Sequence, residues 1–353
     1  MNFVETRLRA QQLIRQKFKE PSEVVAHMGA IQAQEYRLMR WAVGMRTRKP
    51  SLKAFEDSFN RGEIVRLHLL RGTWQLITRD DYQWMMSLFA LRARKVIDGW
   101  MSANGISISM EEYDEVASVL KRVAGELRSA TKEDFATAVA AEFGPMDDHR
   151  LSYHIRHAEL TGLLCSGDLL PMKASYSLVS EKLGASGTFS VASDNITRTQ
   201  MLKTLARKYF QGRGPATLTD FVWWSGLSVS DCKKGMEALG TSIQRVFRPG
   251  DPREFFILDT CETALRSSRS SLLLPPYDEY LIGYKSRDLA LAPEHVSRAH
   301  NNSGNFSPIV VSDGQVCGNW RPFSQSLEVD LFSCDTSRDI EPARTSFRSF
   351  LSR

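Results

Sequence analysis

No stretch of this chain is apolar for long enough to cross a bilayer, no two cysteines stand at C-x-x-C spacing, and no segment is of low complexity. Each absence removes a class of protein. A membrane span needs about 20 consecutive apolar residues. The opening "MNFVETRLRAQQLIRQKF" alternates charged with apolar positions where a secretory signal needs an unbroken apolar core. Its arginines suit a transit peptide, but Glu5, Glu20 and continuity with the next helix argue against one. The cysteines Cys165, Cys232, Cys261, Cys317 and Cys334 are scattered and odd in number. That suits buried thiols in a reducing compartment, not a disulfide framework or a zinc site. A phosphate-binding glycine loop, HExxH and G-x-S-x-G are also missing. The expectation is a cytoplasmic protein with no membrane association, no metal and no cofactor. The nearest approach to ligand spacing is His154 and His157 near His149 and Asp147. Without a cysteine or a further carboxylate these read as solvated or capping histidines.

What is present is an ordinary globular composition, 353 residues with 42% hydrophobic and 25% charged. That length predicts two or more domains. The net charge of +5 is unevenly placed: residues 1–100 carry 18 Lys and Arg against 10 Asp and Glu, the remainder 28 against 31. A basic first third suits a polyanionic partner, and it equally suits solvated helix faces.

One order of elements recurs without sequence repetition: helices, then two strands joined by a turn. In the first pass a helix with Val4, Leu8 and Phe18 on its apolar side stops at Pro21. Ser22 caps a second helix carrying Val24, Val25, Met28 and Ile31, and Ser51 opens a third that Gly62 closes. "EIVRLHLLRGTWQLIT" reads as a hairpin around Arg71-Gly72, and Thr78 with Asp81 begins a long helix. In the second pass Ser109 starts a helix, Thr131 and Asp134 form a capping box, and two strands flank "CSGDLL". In the third, "TRTQMLKTLARKYF" ends at Gly212-Arg213-Gly214-Pro215. Thr217 and Ser228 cap two more helices, and "IQRVFRPGDPREFFIL" forms a hairpin. Helices followed by a hairpin are the plan of a winged helix. The predicted fold is therefore α+β: tandem winged helices over 1–105, 106–190 and 195–270, with a small β-rich module over 271–353. In that module Asp313-Gly314 makes a hairpin turn and "EPARTSFRSFL" a final helix.

Few residues carry evident chemistry. Gln32 and Gln34 stand two apart in "GAIQAQEYRLMRWAV". On a helix they would point about 200° apart, whereas in an extended segment or turn both face one side. Asp278 and Glu279 follow the double proline in "PPYDEYLIGY". They read either as charge at a helix N-terminus or as an acid aimed into a cleft. Trp223 and Trp224, on a short apolar helix, and Trp74, in the first hairpin, read as packing residues ahead of a nucleobase platform.

The segments "IQAQ", "RLHLLRGTWQLITRDDY", "GPATLTDFVWWSGL", "LLLPPYDEYLIGYKSRD" and "VVSDGQVCGNWR" occur in the order seen in one family. On these the chain resembles the AlkZ-like winged-helix DNA glycosylases of bacteria, some of which unhook interstrand crosslinks. The resemblance spans nearly the whole chain and is loosest over 106–190. It implies a monofunctional DNA glycosylase that removes N-alkylated purines from double-stranded DNA, with water as the nucleophile. The family's glutamine–apolar–glutamine motif maps onto Gln32, Ala33 and Gln34. Gln75 stands where many relatives have histidine, which leaves its part in catalysis open, as it is for Asp278 and Glu279. Arg37, Arg40, Arg46, Arg48, Lys49, Arg66 and Arg71 are expected among the phosphate contacts. An open groove is expected instead of full base flipping, since a crosslinked base is hard to rotate into a pocket. A monomer is the working expectation. The rival readings are a non-enzymatic tandem winged-helix regulator, which would bind chosen sequences and leave no abasic product, and a protein-interaction scaffold, which would not bind DNA at low salt.

Overall fold

The structure is a computed structural model that describes residues 1–184, 196–265, 271–322, 327–332 and 339–352. Cys334 lies outside them. The fold is mixed α+β, and the chain divides into two compact units, residues 1–55 with 197–353 and residues 56–196. This division is coarser than the four modules read from the sequence. Three hairpins nevertheless follow runs of helices at the predicted places. They pair Ile64–His68 with Trp74–Thr78, Leu164–Ser166 with Ser175–Leu178, and Ile243–Val246 with Phe255–Leu258, all antiparallel.

In the first unit, helix Phe3–Ala10 is capped by Asn2, whose side chain accepts from the Glu5 amide. It was expected to continue to Phe18. It stops because Gln12 and Arg15 take φ of 57° and 53°, left-handed values that a right-handed helix cannot contain. Helix Pro21–Met28 has Pro21 where a free amide would go unused, and Glu20, not Ser22, is its cap in a reciprocal box with Glu23. Gly29 at φ 77° ends it, so Ile31 falls on a two-residue strand, Ile31–Gln32, instead of the helix.

The same unit holds the predicted β-rich module. Its four strands lie in the order Val329–Leu331, Gln315–Trp320, Ile309–Ser312, Ser271–Leu274. Asp313 and Gly314 turn the central hairpin with φ of 50° and 79°, the double positive value that a tight hairpin requires. Trp41, on helix Met39–Gly44, donates its indole N–H to the Leu273 carbonyl at 2.7 Å, and Trp320 donates to Leu274 at 2.7 Å. Helix Glu341–Leu351 packs so closely that a Cβ on Gly44 would lie 2.5 Å from the Phe350 ring. Helices Arg198–Arg213, Leu218–Ser225 and Val229–Glu237 are capped by Thr197, Thr217 and Ser228.

In the second unit Thr78 caps helix Arg79–Ala103, and Ser109 and Thr131 cap Met110–Leu127 and Lys132–Phe143. Val116, Leu120, Phe135, Leu151 and Ile155 form its core. His154 bonds Glu112 through Nε2 at 3.0 Å and His157 stacks on Tyr113 at 3.9 Å, so both are buried against helix Met110–Leu127, not solvated or capping as the sequence had suggested. Among the described residues no group of three or more His, Cys, Asp and Glu is placed to hold a metal. None of the described helices is long and apolar enough to cross a membrane.

A buried acid sits in the second unit. Glu159 is fully buried with Oε2 2.6 Å from Nδ1 of His68. Burial pushes its carboxyl up to about 8 against the pull of Arg66 and Arg156, and burial holds His68 well below its usual value. Both groups are then neutral at pH 7, with Glu159 donating. A carboxyl whose folded pKa lies above its unfolded one contributes stability that is whole below the unfolded value, 4.5 for glutamate, and is lost as pH rises through the folded value of about 8. Glu159→Gln keeps a donor without this loss. Its denaturation midpoint relative to the parent is therefore expected to climb between pH 4.5 and 8 and then level off; a constant difference would contradict the assignment.

Candidate active site

Gly29 ends helix Pro21–Met28, and the chain beyond it runs extended. Gln32 closes the two-residue strand, and Gln34 comes after Ala33, ahead of the turn made by residues 35–38. Neither glutamine is helical: Gln32 lies on the strand, and Gln34 lies on the irregular stretch that follows it. Gln32 is 6% exposed, whereas Gln34 is exposed to solvent. Glu35 begins the turn: its side chain accepts from the Arg37 amide at 3.0 Å, and its carbonyl accepts from Leu38 and Met39.

The backbone beneath Gln32 is anchored by charge. Oε1 of Glu279 accepts from the Gln32 amide at 2.8 Å. Oε2 of the same carboxylate receives Nε and Nη2 of Arg213 at 2.9 and 2.6 Å. Beside it Asp278 takes both terminal nitrogens of Arg46, at 2.9 and 2.8 Å, and caps helix Glu279–Ile282 through the Tyr280 amide. Arg46 also donates to the Ala42 carbonyl and to Gln11, which in turn donates to the Tyr284 hydroxyl.

Two expectations are corrected by these contacts. Asp278 and Glu279 are not acids aimed into a cleft: both are buried, each with an arginine. Arg46 is no phosphate ligand, because its side chain is 0% exposed and both ends of its fork are taken by Asp278.

Residues 25–347 match the family described as DNA glycosylase AlkZ-like. The chain belongs to that family. A curated relative from Streptomyces sahachiroi, named an interstrand DNA cross-link repair glycosylase, is 26% identical over 345 residues, covering 92% of this chain and 90% of its own. A solved structure, the Streptomyces sahachiroi DNA glycosylase AlkZ, superposes with a TM-score of 0.74 over 99% of this chain and 95% of that one, at 24% identity. At that identity the superposition establishes a shared fold. Glycosylases hydrolyse N-glycosyl bonds, and this AlkZ-like chain is an enzyme of that kind.

The remaining residues expected at the site fall into groups. Arg48 and Lys49 are exposed and Arg37 is half-buried, so these keep charge at the surface of the first unit. Arg40 is nearly buried, with its guanidinium 5.3 Å from the Tyr36 ring. Within the second unit Arg66 is 4% exposed, with its guanidinium carbon 3.6 Å from the Trp74 ring centre and His68 against the same ring at 3.7 Å. This packing takes up much of what the expectation of a phosphate contact would need. Arg71 is half-buried at the hairpin tip with φ 54°. Gln75 is 1% exposed and donates to the Thr73 hydroxyl at 2.9 Å. Trp224 bears out the packing reading, buried under Arg213, whereas Trp223 is half-buried and donates to the Ile282 carbonyl.

Sequence reasoning missed Arg213, read only as part of a helix stop. The signal available was slight, an arginine between two glycines at a helix end. It also missed Tyr277, which comes directly after the prolines with φ 60°, donates to Asn305 at 3.2 Å, and has its hydroxyl pKa raised by burial and by Glu35.

Proposed function

We propose that this AlkZ-like protein is a monofunctional DNA glycosylase that hydrolyses the N-glycosidic bond of cationic N-alkylated purines, with water held by Gln32 and Gln34 as nucleophile. The observation that carries the reading is the placement of these two amides off any helix, Gln32 on the strand and largely shielded, Gln34 just beyond it and exposed. An N7-alkylated purine already bears positive charge. Its glycosidic electron pair passes to the base, which leaves neutral without a proton from any acid. The sugar becomes oxocarbenium-like, as in glycoside hydrolysis. One water then adds at the anomeric carbon and gives its proton to solvent. A glutamine carbonyl accepts a hydrogen bond and its amide donates two, so two such side chains can fix a water's place and lone-pair direction. Being unable to ionise, they supply no help to a neutral purine. Normal bases are therefore left in place.

The same chemistry and the fold support the other parts of the reading. The three helix–hairpin runs over 1–105, 106–190 and 195–270 act as tandem winged helices, followed in the chain by the module at 271–353. Arg37, Arg48, Lys49 and Arg71 contribute phosphate contacts that hold duplex DNA without reading its sequence. The curated relative's name supports interstrand crosslinks as substrates, and bulky adducts favour an open groove. The protein works as a monomer.

The test is incubation with a duplex containing one N7-methylguanine, then alkali. Strand cleavage at that guanine only is the expected result, with binding that weakens as salt rises. A duplex joined through two N7 positions should separate into its strands on a denaturing gel. Tight binding to chosen sequences with no abasic product would favour a regulator instead, and an uncut methylated duplex rejects the proposal.

A further inference from the structure

Three backbone groups of the segment leading to the first glutamine end on a single buried ion pair. Arg213 donates Nη1 to the Met28 carbonyl at 2.8 Å and Nη2 to the Ala30 carbonyl at 2.7 Å. Glu279, joined to Arg213 through Oε2, accepts the Gln32 amide on Oε1 at 2.8 Å. In extended chain, alternate residues direct their backbone groups to the same edge, so the Ala30 carbonyl and the Gln32 amide face one way. The pair lies along that edge, where a neighbouring strand would otherwise supply the bonds. Lys208 adds a further tie, donating to the Ala26 carbonyl at 2.8 Å.

Stability is a poor explanation for such a pair. The side chains are 0% and 1% exposed. Taking two charges out of water costs about what their attraction returns, and apolar residues of equal volume often serve as well or better. Apolar side chains cannot bond two carbonyls and an amide at once. The surroundings also immobilise the fork. Its guanidinium lies 4.3 Å from the Trp224 ring centre, and Tyr284 donates to the Arg213 carbonyl at 2.9 Å. A Cβ at Gly283 would come within 2.6 Å of the Glu279 carbonyl and 3.2 Å of Arg213 Cδ. No side chain would fit at Gly283 without displacing the pair.

We propose that Arg213 and Glu279 are positioning residues for glycosidic hydrolysis, holding the backbone at Gln32 so that its side-chain amide meets the attacking water in a fixed place. The inference rests on the water-positioning reading of Gln32 and Gln34. Neither side chain touches the DNA; both act through the glutamine.

The test compares single-turnover rates on the N7-methylguanine duplex, per folded protein. Glu279→Gln keeps an acceptor for the Gln32 amide but gives up the charge that locks Arg213. Arg213→Lys keeps the charge, but one ammonium cannot span two carbonyls; it carries the test if Glu279→Gln does not fold. Displacing a catalytic group by about 1 Å costs up to about 10²-fold, so each variant is expected to be slower by about tenfold or more, with duplex affinity within about threefold. The double variant Gln32→Ala/Glu279→Gln should be no slower than Gln32→Ala alone, since the second change acts through a side chain already gone. Parent-like rates in folded Glu279→Gln or Arg213→Lys overturn the proposal, as does a double variant slowed by the product of the two single effects. If Gln32→Ala cuts as fast as the parent, the glutamine reading itself falls. If Gln32→Ala is slow while Glu279→Gln is unimpaired, only the positioning role is rejected.

Discussion

Gln34→Ala is expected to slow excision of N7-methylguanine by about 10²- to 10³-fold in single turnover while leaving duplex affinity within about threefold, and Gln32→Ala is expected to do the same. The magnitude reflects what the amides contribute. Departure of a cationic base needs no acid, so the enzyme's share of the barrier lies in orienting one water against an oxocarbenium-like sugar. Losing one of two holding groups leaves the water free to wander, and the reaction returns toward its solution rate. Affinity should barely move, because phosphate contacts supply it. The two side chains are not interchangeable in risk. Gln34 is exposed, so its truncation leaves no cavity, whereas Gln32 is 6% exposed and its variant needs a folding control. Since an amide does not titrate, the parent's rate should be flat from about pH 6 to pH 9. Gln34→Glu keeps an acceptor but adds an ionisable group, and should impose an acid limb on the profile near the ordinary glutamate value of about 4.3. Variants of both glutamines that cut like the parent would end the catalytic assignment while leaving the family membership untouched.

Asp278→Ala is expected to lower the unfolding free energy by about 3–5 kcal/mol, the usual cost of stranding one member of a buried ion pair. Arg46 would remain fully buried with its two charge-assisted bonds to the carboxylate gone, and the Tyr280 amide would lose its cap. Arg46→Met combined with Asp278→Leu should recover much of the loss, because the pair spends its attraction on its own desolvation. Asp278→Asn, which can still cap Tyr280, should fall between. Chemical denaturation midpoints measure all of these. The residue's role is decided by the same series. If Asp278→Ala is as stable as the parent and inactive, its carboxyl belongs to the chemistry; if activity tracks the folded fraction, it is structural.

The hairpins and caps were legible in the chain because their causes are local. Thr78 with Asp81, Ser109 with Glu112, Thr131 with Asp134 and Thr217 with Asp220 each satisfy helix amides three residues away, so spacing alone announces them. Asp313-Gly314 announces its turn for the same reason. The first helix was misjudged because an apolar spacing from Val4 to Phe18 says nothing of Gln12 and Arg15 turning left-handed. Charge misled in a more general way. Arg37, Arg40, Arg46, Arg48 and Lys49 look alike in a string, yet Arg48 and Lys49 are exposed and Arg46 is sealed within the protein.

By itself the chain determined its hairpins and most of its helix caps, its two-glutamine motif and, through separated motifs, its family, since each of these is written in residues close in sequence. Only the folded chain decided what the acidic pair after the prolines does. Asp278 meets Arg46 across 232 positions, and Glu279 meets Arg213 across 66 and the Gln32 amide across 247. Whether a charge is desolvated and matched or left in water depends on what packs around it, and no local pattern encodes a neighbour that far away.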